Sequence, residues 1–460
     1  MASVKNKYIG LFALAIIVST LSLTHPYTYN VYEEGKNELI EFDDKLLIIH
    51  DIYDLRGDTL VLPIGGTLLF KDKGQIKNGV LVGNDTEIRS FRNRPIFYDI
   101  IFSGSFVGSV HSQWFPLLYG KRVDNSKDLN SALELAYLSS EKVLCLKENR
   151  TLYVKSDIPS LETKDFLRHG TVEVKSGVCF DLNGSTLKCL PNNSKAYNII
   201  FSRQAKDIII RNGVICGDLK KHLGNKGEWG YGIELQGVQG FILENLECKY
   251  CWGDGINIQV AFDGDGNQDS DLTRQGHCSD GVISNVYCHH NRRQGMSVEG
   301  IIGLKVVNSQ FSYTDGTNPR SGIDIEPYSY NNLVRNVNIT NCVFKNNAYS
   351  GILMMGSNVS DITIDNCRFH NSRHFDLTLK GKNINVLNCQ YPLSIRLVDD
   401  CSGVAVLNSK IKMFQTEDFS NGSFIKEISF TCSEMLYGQK HSNDYIFADC
   451  RISYENCIFK

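Results

Sequence analysis

Asn341-Cys-Val-Phe344, Asn366-Cys-Arg-Phe369 and Asn388-Cys-Gln-Tyr391 are one short motif written three times, and the fold is read from it. Asn308-Ser-Gln-Phe311 and Asn456-Cys-Ile-Phe459 repeat it on either side, and Asn245, Asn285 and Asn408 open looser copies. Each copy follows a short alternating stretch such as Val337 to Thr340 or Ile362 to Asp365. A strand and turn recurring every few tens of residues is the signature of a solenoid. Alternation sends every second side chain inside. Parallel stacking superimposes like residues, so the Asn amides can hydrogen-bond from coil to coil and Cys342, Cys367 and Cys389 form a column of small core side chains. Fifteen cysteines in all, placed largely in this frame, therefore speak for packing more than for disulfides.

A second strand follows each Asn motif. Six align: Gly232-Ile-Glu-Leu-Gln236, Gly255-Ile-Asn-Ile-Gln259, Gly295-Met-Ser-Val-Glu299, Gly322-Ile-Asp-Ile-Glu326, Gly351-Ile-Leu-Met-Met355 and Asp376-Leu-Thr-Leu-Lys380. Their second and fourth residues are apolar and belong inside; the third and fifth belong on the outer wall. The expected class is all-β, a right-handed parallel β-helix solenoid over 120–460. A smaller β-rich unit precedes it over 25–115. Between them Asp124 to Ser140 reads as an amphipathic helix, with Leu129, Leu133, Ala136 and Tyr137 on one face, suited to cap the open end of the coil.

The first 24 residues read differently. Lys5 and Lys7 precede an apolar run from Ile9 to Val18, then small residues, the pattern of a signal peptide or a signal anchor. The run is shorter than the ~20 residues of a bilayer span. The protein is expected to be exported, with a membrane partner only if this segment is retained. A net charge of −3 with mixed signs offers no electrostatic case for nucleic acid.

The repeats from about 171 to 411 resemble the pectate lyase–polygalacturonase superfamily, and the stretch from Asp124 to Val154 resembles the helix-and-strand opening of its members. The resemblance covers about two thirds of the chain. It implies the fold and a carbohydrate-active protein, but not one reaction, because this scaffold hosts lyases, hydrolases, epimerases and phage tailspikes. In the polygalacturonase pattern an Asn-Thr-Asp triplet, an Asp-Asp pair and a Gly-His-Gly triplet occupy successive corners. Asp254, in Gly253-Asp-Gly255, is the one residue that carries over. Arg293-Gln294 and Arg320-Ser321 stand at the next corners, so the paired Asp and the His are missing.

Stacking identifies the candidate chemistry. Coils ~4.8 Å apart bring Glu299 and Glu326 side by side, with Asp324 about 7 Å along the same face. Adjacent carboxylates resist joint ionisation, which leaves one protonated acid beside one charged base or nucleophile, as glycoside hydrolysis requires. Asp324, Glu326, Glu299 and Asp254 are the catalytic candidates. Arg293 and Arg320, at the corners above, either hold a substrate anion or pair with the acids. His290, Gln259 and Tyr328 complete the candidate substrate contacts. The insertion Asp263-Gly-Asp265-Gly-Asn267-Gln-Asp269-Ser-Asp271 alternates oxygen ligands in a way that suits calcium. It departs from an EF-hand at Gln268 and Arg274. No cofactor is required by this reading, and calcium is the one metal it offers. Three functions follow: a polysaccharide hydrolase first, a uronate lyase or epimerase second, a non-catalytic glycan-binding solenoid third.

Overall fold

The computed structural model describes residues 28–30, 39–43, 45–91, 93–156, 170–261, 276–327, 329, 331–356, 358–398, 401–417, 425–431, 434–435, 452–455 and 458–459. The opening segment, the acid-rich insertion from Asp263 to Asp271 and Tyr328 lie outside the described residues.

Two parallel sheets form the walls of a right-handed β-helix. One, the long sheet, runs from Val110–His111 and Val143–Cys145 to Ile452–Glu455. Its register stacks like on like: Leu304, Val337, Ile362, Ile384 and Val404 pair in turn, and all are buried. The second, the site sheet, has 12 described strands from Val172–Glu173 to Ile458–Phe459. Phe311, Phe344 and Phe369 stack face to face inside, with centroids 5.7 and 4.8 Å apart.

The Asn motifs turn the corner of each coil. Asn245, Asn285, Asn308, Asn341, Asn366, Asn388 and Asn408 all have φ between 48° and 57°, a left-handed conformation that Asn tolerates better than bulkier residues. Their amides form the ladder: Asn285 donates to Asn245 at 2.7 Å, Asn366 to Asn341 at 2.8 Å and Asn408 to Asn388 at 2.9 Å. Cys342, Cys367 and Cys389 are buried in the column beside them, and every described cysteine is a free thiol.

Residues 46–107 form a smaller parallel coil with antiparallel strands before it, closed around Phe70, Phe97 and Phe102. Helix Ser126–Leu138 buries Leu129, Ala132, Leu133, Leu135 and Ala136. It covers the first strands of both walls and also packs on Phe97–Val107, the last strand of the small coil. Tyr137 is only half-buried on this face.

Candidate functional site

The site is a consequence of corner glycines. A Cβ at Gly322 would lie 2.6 Å from the carbonyl oxygen of Gly351 and 2.8 Å from Asn347 Nδ2; one at Gly255 would lie 2.7 Å from the oxygen of Gly295. Only glycine lets successive coils approach this closely, and so the strands that follow start in step. The third-residue column then reads Glu234, Asn257, Ser297, Asp324, Leu353, Thr378 and Arg396, each paired with the next. The fifth-residue column pairs Gln236 with Gln259. It continues as the backbone N–H of Glu299 donates to Ile258, that of Glu326 to Val298 and that of Met355 to Ile325. Glu299 and Glu326 therefore occupy adjacent coils in register.

Outward does not mean solvated here. Glu234, Asp254 and Asp324 are at most 2% exposed, and their partners come from their own and neighbouring coils. Glu234 accepts from Asn198 at 2.6 Å, from Gln236 at 2.8 Å and from Gln259. Gln259, expected to meet substrate, is thus committed to a buried acid. Asp254 accepts from Arg293 at 3.0 Å, from Ser297 at 2.8 Å and from the backbone of Gln294 at 3.0 Å. Arg293 takes the pairing role. Burial opposes its charge, yet Asp254 first, then Tyr231, Asp324 and Glu299, raise its pKa.

The electrostatics divide the acids. Burial pushes Glu234 up to about 7 despite its three amide donors. Burial also pushes Glu299 up to about 7, against the pull of Arg293 and the amide of Asn257 at 3.2 Å. Asp324 is raised well above the usual carboxylate range, by burial first and by Glu326 next. Gln294 Nε2 donates to Asp324 Oδ2 at 2.8 Å, while Asp324 Oδ1 has no hydrogen-bond partner among the described residues. Glu326 is exposed. It lines a pocket of about 350 Å³ together with Arg320, Tyr349, Leu353, Met355 and His374. Arg320 Nε is buried without a partner among the described residues. The rings of Tyr349 and His374 lie 4.6 Å apart, and Arg396 donates to the Tyr349 hydroxyl at 3.3 Å.

His290 does not join this site. It stacks on Tyr313 with centroids 4.8 Å apart and touches His289 Nδ1 at 2.6 Å, at the corner that ends a strand of the long sheet. Tyr349 and His374 were not anticipated, although a signal existed. Each stands two residues before its corner, as Arg293 and Arg320 do, and the backbone joins them coil to coil from Arg320 through Tyr349 to His374. Gln294, Ser297 and Asn198 are a harder case, because ordinary polar residues gain a role only from the acids that the coil sets beside them. Among the described residues no group of three or more His, Cys, Asp or Glu could hold a metal ion.

A family model described as a right handed beta helix region matches residues 266–391. Two relatives come from Bacillus subtilis (strain 168). The SPbeta prophage-derived uncharacterized protein YorA is 23% identical over 244 residues, 50% of this chain and 41% of its own length. The uncharacterized protein YclG is 28% identical over 179 residues, 36% of this chain and 30% of its own. The chain thus spans less than half the length of either. Among solved structures, the A-module of Azotobacter vinelandii mannuronan C-5 epimerase AlgE4 is similar with a TM-score of 0.52 and 13% identity, over 76% of this chain and 95% of that one. By fold, the chain is a right-handed parallel β-helix.

Proposed function

We propose that the protein is an exported enzyme that hydrolyses a polysaccharide on the outer face of the site sheet. One observation carries this reading: the buried Asp324, one oxygen of which has no partner among the described residues, stands two residues from Glu326, which opens onto a pocket. Asp324 is the general acid that protonates the leaving glycosidic oxygen. Glu326 is the base or nucleophile on the pocket side. Glu299, on the preceding coil and half-neutral near pH 7, keeps charge in the cluster low. Asp254 and Arg293 position the acids and do not touch the sugar. The AlgE4 A-module, similar in fold, belongs to a mannuronan C-5 epimerase, which supports a carbohydrate substrate in general terms. Export rests on the basic and apolar opening of the sequence.

A second reading, a lyase or epimerase acting on uronates, is favoured by Arg320, a cation lining the pocket beside Glu326 and suited to a substrate carboxylate. Calcium, if the Asp263 to Asp271 loop binds it, belongs to this reading.

The test is a screen of plant, algal and host polysaccharides, followed for new reducing ends and for unsaturated products that absorb in the ultraviolet. The hydrolase predicts reducing ends without that absorbance, and a loss of at least a hundredfold in Glu326→Gln and in Asp324→Asn. Full activity in Glu326→Gln would sink the assignment. Unsaturated products that disappear with chelator would establish the second reading. Binding without products, unchanged in Asp324→Asn, would leave a glycan-binding protein.

A further inference from the structure

From Gln236 to Met355 the outer wall of the site sheet opens coil by coil. Along the fifth-residue column Gln236 is 0% exposed and Gln259 4%, Glu299 is half-buried, Glu326 is exposed and Met355 reaches 36%. The closed side is also bonded within itself. Glu234 accepts from Asn198, Gln236 and Gln259, and Asp254 from Arg293, Ser297 and Gln294. The acceptors left there without a partner among the described residues, Asn198 Oδ1, Gln236 Oε1 and Asn257 Oδ1, are buried out of reach of a sugar hydroxyl. A glycan running along this wall would have to displace buried, hydrogen-bonded side chains and strand their polar groups. On the open side the surface changes character. Leu353 and Met355 form an apolar floor, and Tyr349 and His374 supply rings at the corner, the mixture of apolar surface and few polar groups that binds a sugar. At about 350 Å³ the pocket lies near the small end of ligand sites. Asn318 and Pro319 line it beside Arg320.

From this asymmetry we infer that the site takes the end of a glycan chain and not its middle: the terminal sugars enter past Met355 and stop at the buried network around Glu234 and Gln259. The inference rests on the hydrolase reading and specifies its substrate as chain ends, so cleavage removes short fragments one at a time. Tyr349, Met355 and His374 become the residues that select how much of an end is held.

Sodium alginate, polygalacturonate and laminarin are suitable first probes, each followed in parallel by viscosity and by size-exclusion of the products. End-binding predicts short products of uniform size from the first minutes, while viscosity barely falls. Rapid loss of viscosity with fragments of mixed length would overturn it and leave the hydrolase standing. Absence of cleavage on these and on the wider screen would overturn both. Met355→Trp, which fills the pocket mouth from a side chain already at the surface, should lower kcat/KM at least tenfold with an unchanged far-ultraviolet spectrum. Unchanged kcat/KM in this variant would show that the sugar enters elsewhere, and would end the inference.

Discussion

The side-chain amide of Gln294 donates to Asp324 Oδ2 at 2.8 Å, one coil further along the helix. The same residue receives the backbone N–H of Ser321 on its Oε1 at 2.7 Å and gives its own backbone N–H to Asp254 at 3.0 Å. It is fully buried, so these bonds have no water to replace them. Gln294→Ala is expected to cost about 1–3 kcal/mol, the penalty for stranding buried polar groups. The midpoint of urea unfolding measures it. The variant should also move the pH profile, because Asp324 loses a donor that favours its charged form; its pKa rises and the alkaline limb of activity shifts upward.

Arg293 and Asp254 form an ion pair whose side chains are 15% and 0% exposed. Removing one partner strands a buried charge. Arg293→Met should destabilise by about 3–5 kcal/mol. The double variant Arg293→Met, Asp254→Asn should lose less than the sum of the two singles, since neither group is then left charged and alone. Strict additivity in urea unfolding would show that the pair is not coupled.

Glu234 makes stability depend on pH. Its folded pKa, about 7, lies above the ordinary 4.5. Between these values the unfolded chain has already released a proton that the folded chain still holds, so stability falls as pH rises through that window. The stabilisation is complete below about pH 4.5 and lost above about pH 7. At about 1.4 kcal/mol per pH unit the change across the window is about 3–4 kcal/mol. Glu234→Gln should flatten this part of the curve, read from unfolding midpoints at pH 5 and pH 8. An identical slope in variant and wild type would place the titration on another group.

The corner ladder separates two effects at one position. Asn341, with φ of 57°, donates to Asn308 at 3.3 Å and accepts from Asn366 at 2.8 Å. Asn341→Gly keeps the left-handed backbone and loses only the ladder. Asn341→Ala loses the ladder and adds about 1–2 kcal/mol of steric cost. The alanine variant should unfold at lower urea than the glycine variant; equal midpoints would remove the left-handed corner from the account.

Much of this protein is legible in one dimension. The Asn motifs, the inward Ile and Val positions and the corner glycines recur along the chain, because a solenoid places residues one repeat apart in contact. The same regularity brings Glu299 and Glu326 into line, since their positions after Gly295 and Gly322 are equal. Burial was decided elsewhere. Nothing in the spelling of Glu234 says that its carboxylate is enclosed by amides from three coils, nor in that of Asp254 that the next coil covers it with Arg293, Gln294 and Ser297, while Glu326 faces a pocket. Nor does His290 declare which wall it turns to, because a corner residue can serve either sheet. Local pattern sets which side chains point outward; whether outward means water or another side chain depends on what the whole coil lays over them, and that is a property of the tertiary structure alone.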